Sequence, residues 1–138
     1  MSLLGATEIR ELAAKLDLKP AKSLGQNFVI DSNVCLRIVR QVEINPNDVV
    51  LEIGPGLGSL TLAILELKVP VIAIEIDNRL ADQLPETVKL HNPNANLTVI
   101  NEDAISVRNL PIDPTVLVAN LPYNVSVPVL LKIGRAHV

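Results

Sequence analysis

The run Val49-Val50-Leu51-Glu52-Ile53, broken by Gly54-Pro55-Gly56-Leu57-Gly58 and followed at once by a helical pattern from Ser59 through Leu67, constrains this chain's fold most. A run so short, β-branched and largely apolar reads as a strand buried on both faces of a parallel sheet. Val71 to Ile76 reads as a second strand, and Asn78 to Leu84 as the next helix, limited near Pro85. Leu97 to Ile100 and Thr115 to Ala119 supply two further strands. The order is βαβ. It predicts an α/β fold with a doubly wound, mostly parallel, Rossmann-like sheet.

The flanks are helical by the same reasoning. Thr7 is a candidate N-cap for a helix burying Ile9, Leu12, Ala13 and Leu16, with Glu8 and Glu11 near its positive end. Pro20 follows, then a polar loop with Lys22, Ser23, Gly25, Gln26 and Asn27. Asp31 can cap a second helix running to about Glu43, in which Cys35 and Val39 pack beside the stripe Val34, Ile38 and Val42. Ser126 onward reads as the start of another helix, with Pro128 in its first turn.

A chain of 138 residues, 49% hydrophobic, fits one domain with a substantial core. Phe28 and Tyr123 are its only aromatic residues, and each lies inside a polar motif, so Leu, Ile and Val must fill that core. The net charge of −3 argues against a self-sufficient nucleic-acid binder. Residues 1–40 carry six Lys or Arg against four acids and residues 41–138 six against eleven, which places any basic surface near the start. One cysteine permits no intrachain disulfide and points to a reducing, cytoplasmic compartment. The opening residues lack a signal-peptide pattern, no stretch reaches transmembrane length, and the expectation is a soluble protein with no membrane partner. One cysteine and two scattered histidines, His91 and His137, make no zinc site of ordinary spacing, so no metal is expected. His91 itself reads as a loop residue beside Asn92-Pro93-Asn94.

The chemistry lies at the ends of the strands. Bare backbone in Gly54-Pro55-Gly56-Leu57-Gly58 can approach a ligand, although the loop alone is a weak signal that also fits a structural tight turn. Glu75 stands about 20 residues beyond Gly54, where Rossmann-type sites place a carboxylate against ribose hydroxyls. The spacing Gly-x-Gly-x-Gly departs from the dinucleotide fingerprint and weakens a nicotinamide reading. S-adenosylmethionine, a nucleoside without pyrophosphate, needs no such anion cradle. Asp103 is placed either to accept from an adenine amino group or to cap its own loop. Asn120-Leu121-Pro122-Tyr123 sets an amide and an aromatic ring at a strand's carboxyl end, where open α/β sheets bind ligands.

Taken together, Gln26-Asn27-Phe28, Leu51 to Gly58, Glu75-Ile76-Asp77, Asp103-Ala104 and Asn120-Leu121-Pro122-Tyr123-Asn124 resemble the ribosomal RNA adenine N6-dimethyltransferases in order and spacing, over Ala21 to about Leu131. The resemblance implies a class I S-adenosylmethionine-dependent methyltransferase fold. It also implies dimethylation of two adjacent adenines near the 3′ end of small-subunit ribosomal RNA, with a pre-30S-type particle as partner and a monomeric enzyme. Carried onto this sequence, Asn27 and the Val29 backbone contact the methionine portion, Gly54 lies against the cofactor, Glu75 holds the ribose, Asp103 takes the adenine amino group, and Asn120 borders cofactor and target base. Val29 departs from the Leu usual there. The catalytic set implied is Asn120, Leu121, Pro122 and Tyr123. A non-catalytic ribosome-assembly factor and a nicotinamide-dependent oxidoreductase are the competing readings.

The resemblance further implies that complete members continue into a smaller helical RNA-binding domain, so residues 1–132 are expected to be part of a cofactor-binding catalytic domain, incomplete at the C-terminus and inactive alone. Ile133-Gly134-Arg135-Ala136-His137-Val138 is what ATC GGA AGA GCA CAC GTC encodes, a stretch of a common sequencing adapter whose next triplet is a stop. The expectation is that these six residues are not protein sequence. Resequencing the gene from genomic DNA should replace them with a continuing frame; the same residues before a stop codon would refute this.

Overall fold

β1 (Val50–Ile53) lies at the centre of a five-stranded sheet, between β2 (Val71–Ile74) and β4 (Val116–Leu121), with β3 (Leu97–Ile100) and β5 (Val127–Lys132) at the edges, giving the order β3-β2-β1-β4-β5. The computed structural model describes residues 2–18, 32–121 and 127–132. The helices are α1 (Ala6–Lys15), α2 (Ser32–Gln41), α3 (Ser59–Leu65) and α4 (Asn78–His91), and one 3-10 turn spans Ala104–Ser106.

β1 to β4 are parallel, in a register that aligns Val71, Val50 and Val116 in one row and Ala73, Glu52 and Val118 in another. Successive side chains alternate between faces, so these rows share one face. That face carries the core: Val50, Val71, Ala73, Val116 and Val118 cluster with Leu4, Ile9, Leu12, Cys35 and Val39 from the amino-terminal region and with Leu60, Leu80, Leu84 and Val88 from α3 and α4. Two right-handed crossovers running the same way across a sheet put their helices on the same side. The other face carries Leu51, Ile53 and Leu117, which are half-buried, and Ile72 and Ile74, which are buried. The α/β sheet is thus as expected, while the described helices pack into the core of one face.

Several boundaries differ from expectation. α1 begins after Gly5, without a side-chain cap, and Thr7 lies inside it, its hydroxyl accepting from Arg10. Asp31, the expected cap of α2, lies outside the described residues, but Cys35 and Val39 are buried as expected. His91 is the last residue of α4 rather than a loop residue, and its imidazole lies between Glu8 (2.7 Å from Nε2) and the Ser2 hydroxyl. It holds the start of the chain against the end of α4.

Two expectations are overturned. α4 continues through Pro85 to His91, because Leu80, Ala81, Leu84, Thr87 and Val88 are buried on its inner face, and that packing outweighs the lost backbone bond. The residues after Ser126 form a strand: Val127–Lys132 pairs antiparallel with β4, Asn120 opposite Pro128 and Ala119 opposite Val129. The open edge of β4 offers a row of backbone donors and acceptors, and Val127 and Val129 are β-branched residues suited to pair with it. Proline is tolerated on such an edge.

Glu52 is 1% exposed at the middle of this sheet and accepts from the Thr61 hydroxyl of α3. Burial pushes its carboxyl up to about 7 against the lowering by Thr61, and the negative charge of Glu75 raises it further. A carboxyl raised on folding favours the native state below its ordinary value of 4.5 and loses that contribution as pH climbs through about 7. We expect Glu52→Gln to flatten the fall in stability across that window and to gain about 3 kcal/mol over the wild type above it, at ~1.36 kcal/mol per pKa unit. Urea unfolding of both proteins at low and high pH measures this; parallel pH profiles would contradict it. Pro85→Ala should restore the missing α4 bond and raise stability by about 1 kcal/mol or more, read from the same unfolding curves.

Candidate functional site

At the carboxyl end of β1 the chain must turn sharply from sheet to helix. Gly54, Gly56 and Gly58 take φ values of 71°, 60° and 102°, all in the region that favours glycine. Gly54 still donates to Ile74 O at 3.0 Å, extending the β1–β2 ladder by one bond, and Gly58 closes the turn onto Pro55 O at 3.1 Å. A Cβ at Gly58 would come within 2.7 Å of Leu84 Cδ1. A side chain at Gly58 would thus press on the buried Leu84 of α4 as well as strain the turn.

Glu75 is one residue past β2 and 5% exposed. Its Oε1 accepts from the Gly56 N–H at 3.2 Å and its Oε2 from the Asp77 N–H at 3.0 Å. The expected ribose acceptor is thus placed against the glycine loop. Each carboxylate oxygen has two acceptor directions, so capacity for hydroxyl donors remains. Burial raises the Glu75 carboxyl above its ordinary range, against the lowering by the Asp77 and Gly56 N–H groups. Asp77 in turn caps α4, accepting from the N–H groups of Arg79 and Leu80.

The third strand tip adds polar and apolar parts. Asn101 donates through Nδ2 to Glu75 O at 2.9 Å and to Ile76 O at 3.3 Å, so it fixes the backbone on both sides of the carboxylate's neighbour. Asp103 caps the 3-10 turn, Oδ1 accepting from Ile105 N at 3.0 Å, and stays solvent-exposed. It serves as the loop cap that was one of its two sequence readings, and among the described residues its second oxygen accepts no hydrogen bond. Ile76 and Ile105 are 66% and 82% exposed beside these acids.

Across β1, Ala119 pairs with Ile53, which brings Asn120 of β4 level with Gly54. Gly54, Glu75 and Asp103 therefore follow the ends of β1, β2 and β3, and Asn120 lies in the last two residues of β4, so the four share one edge of adjacent parallel strands. Asn27, Val29, Pro122 and Tyr123 lie outside the described residues. Sequence reasoning missed three supporting groups: Asn101, the exposed Ile76, and Thr61 beneath Glu52. Only Ile76 left a signal, as an apolar residue between two acids. A cavity of about 490 Å³ between Lys68 and Asn92, Asn94 and Asn96 lies at the opposite end of the strands. Among the described residues, no helix is long and apolar enough to cross a membrane and no group of side chains is arranged to hold a metal ion.

The family of ribosomal RNA adenine dimethylases matches residues 18–137. Ribosomal RNA small subunit methyltransferase A of Paenarthrobacter aurescens is 53% identical over 133 residues, covering 95% of this chain and 45% of the relative. The protein of the same name from Leifsonia xyli is 56% identical over 135 residues, covering 96% and 48%. The chain spans about half the length of these curated relatives. Among solved structures, a dimethyladenosine transferase from Plasmodium falciparum superposes with a TM-score of 0.57 at 34% identity, over 67% of this chain and 33% of that one. The 23S ribosomal RNA methyltransferase ErmE gives 0.57 and 34%, over 69% and 37%. With the glycine turn, the paired carboxylate and the Asn-Leu end of β4 on one sheet edge, the chain belongs to the ribosomal RNA adenine dimethylase family.

Proposed function

We propose that this chain is the donor-binding part, residues 1–132, of an enzyme that transfers methyl groups from S-adenosylmethionine to N6 of adjacent adenines near the 3′ end of small-subunit ribosomal RNA. The observation that carries the reading is the alignment of Gly54, Glu75, Asp103 and Asn120 along four strand tips in a chain of this family. The residues fit the donor. Glu75 retains acceptor capacity for ribose hydroxyls, exposed Ile76 and Ile105 offer apolar surface to an adenine ring, and Asp103 has an oxygen for its amino group. Ser59 Oγ, buried and without a partner among the described residues directly after the glycine turn, is the kind of group that finds a polar ligand or water. When bound, S-adenosylmethionine supplies a methyl group activated on a sulfonium.

The chain's own residues then prepare the acceptor. An adenine N6 lone pair is delocalised into the ring, and it becomes nucleophilic when acceptors engage both hydrogens. The Asn120 side-chain oxygen and the Leu121 carbonyl are those acceptors, Pro122 stiffens the turn, and Tyr123 stacks on the extruded base. Orientation supplies much of the barrier reduction, and no tuned general base is required. Asn27 and the Val29 backbone hold the methionine portion. The partner is small-subunit RNA in a pre-30S-type particle, met by a cytoplasmic monomer; a helical domain beyond this chain grips the RNA.

Calorimetry separates this from a nicotinamide enzyme: S-adenosylmethionine should bind the complete protein and NADH should not. Glu75→Ala should weaken donor binding more than turnover at saturating donor. Tyr123→Ala should do the reverse, losing ~1–3 kcal/mol of base stacking, measured with undermethylated small-subunit RNA. Equal losses in both parameters for Tyr123→Ala would contradict the stacking role.

A further inference from the structure

The guanidinium of Arg79 joins three groups that the site does not otherwise connect. Its Nε and Nη2 donate to the two oxygens of Asp77 at 3.3 and 3.0 Å, as a fork on a carboxylate. Its Nη1 donates to Leu16 O at 2.9 Å and to Asp17 O at 3.3 Å, more than sixty residues away in sequence. Leu16 is the C-cap of α1 and Asp17 follows in the left-handed region, φ 54°. The Leu16 carbonyl closes α1 at its C-cap, where carbonyls lack partners within the helix and carry the negative end of its dipole, and the Asp17 carbonyl lies one residue beyond. The Arg79 side chain is half exposed, so the pair with Asp77 adds little to stability as a surface ion pair. Geometry is what it adds.

Asp77 is also the residue whose N–H bonds Glu75 Oε2, while Gly56 N–H bonds Oε1. One continuous line of hydrogen bonds therefore runs from the glycine turn through Glu75 and Asp77 to Arg79 and the end of α1. The Arg79 guanidinium lowers the Asp77 carboxyl below its ordinary range, which keeps the cap charged and the fork intact. We infer that Arg79 is a positioning residue for donor binding: by fixing Asp77 between the start of α4 and the end of α1, it sets the orientation of the Glu75 carboxylate. This rests on Glu75 as the ribose acceptor in the proposed function. Lysine cannot replace the arrangement, because a single ammonium lacks the planar fork that engages a carboxylate while its other arm reaches two carbonyls.

The test is S-adenosylmethionine binding by calorimetry, with urea unfolding alongside, on the complete protein and its Arg79→Ala, Arg79→Lys, Glu75→Gln and Arg79→Ala/Glu75→Gln variants. Arg79→Ala should weaken binding several-fold. Arg79→Lys should keep wild-type unfolding yet bind the donor as weakly as Arg79→Ala. In the Glu75→Gln background, Arg79→Ala should cost little further affinity, since both act on one carboxylate. Wild-type affinity in Arg79→Ala, full rescue by lysine, or fully additive losses would each overturn the inference. If the wild-type protein binds no S-adenosylmethionine, the reading of the site itself falls, and this inference with it.

Discussion

The carboxylate of Glu75 accepts one backbone N–H from the turn after β1 and another from the start of α4. Those two bonds tie the glycine turn to the start of α4, beside the Gly54 N–H to Ile74 O bond that extends the β1–β2 ladder. Burial makes the bonds stronger and the carboxylate costlier to leave unpaired. The same atoms that would meet a ribose thus also hold the walls of its site in place. A neutral replacement would disturb the ligand and the loop together, which is why variants here are best interpreted in pairs.

Beneath this edge lies a second buried carboxylate, Glu52, in the row facing α3. Its bond to Thr61 anchors the helix that the glycines launch, so the turn is held from below by one acid and from the side by another. Natural interiors seldom bury an acid without a partner. Here the hydroxyl of Thr61 gives part of that compensation, and the rest is met by a carboxyl that holds its proton to near neutral pH.

Strands and glycines were legible because their signals are local. Val71, Leu97 and Val116 open β2, β3 and β4 at or within one residue of the β-branched runs, and three positive φ angles fall on the three glycines of the first loop. Glu75 and Asp103 were legible by spacing from those strands, and both stand at the tips where spacing put them. What the sequence hid depends on partners distant in the chain. Pro85 looked like a helix end because the burial of Leu84 and Val88 cannot be seen in a window around it. Val127–Lys132 looked helical because the open edge of β4 is a tertiary fact. Asn101 and Arg79 are unremarkable polar residues until the fold brings each beside a carbonyl. Asn27, Val29, Pro122 and Tyr123 lie outside the described residues, so their places in the site rest on the family alone.

Cys35, the lone thiol of the chain, is fully buried on α2 within the cluster that also holds Val39 and Leu60. A sulfur in that position reacts with a small reagent only after the helices above the sheet part from one another. Its labelling rate therefore clocks the opening of this layer at a single, native address, with no engineered reporter, and a ligand seated at the far strand tips that tightens the layer would slow that clock.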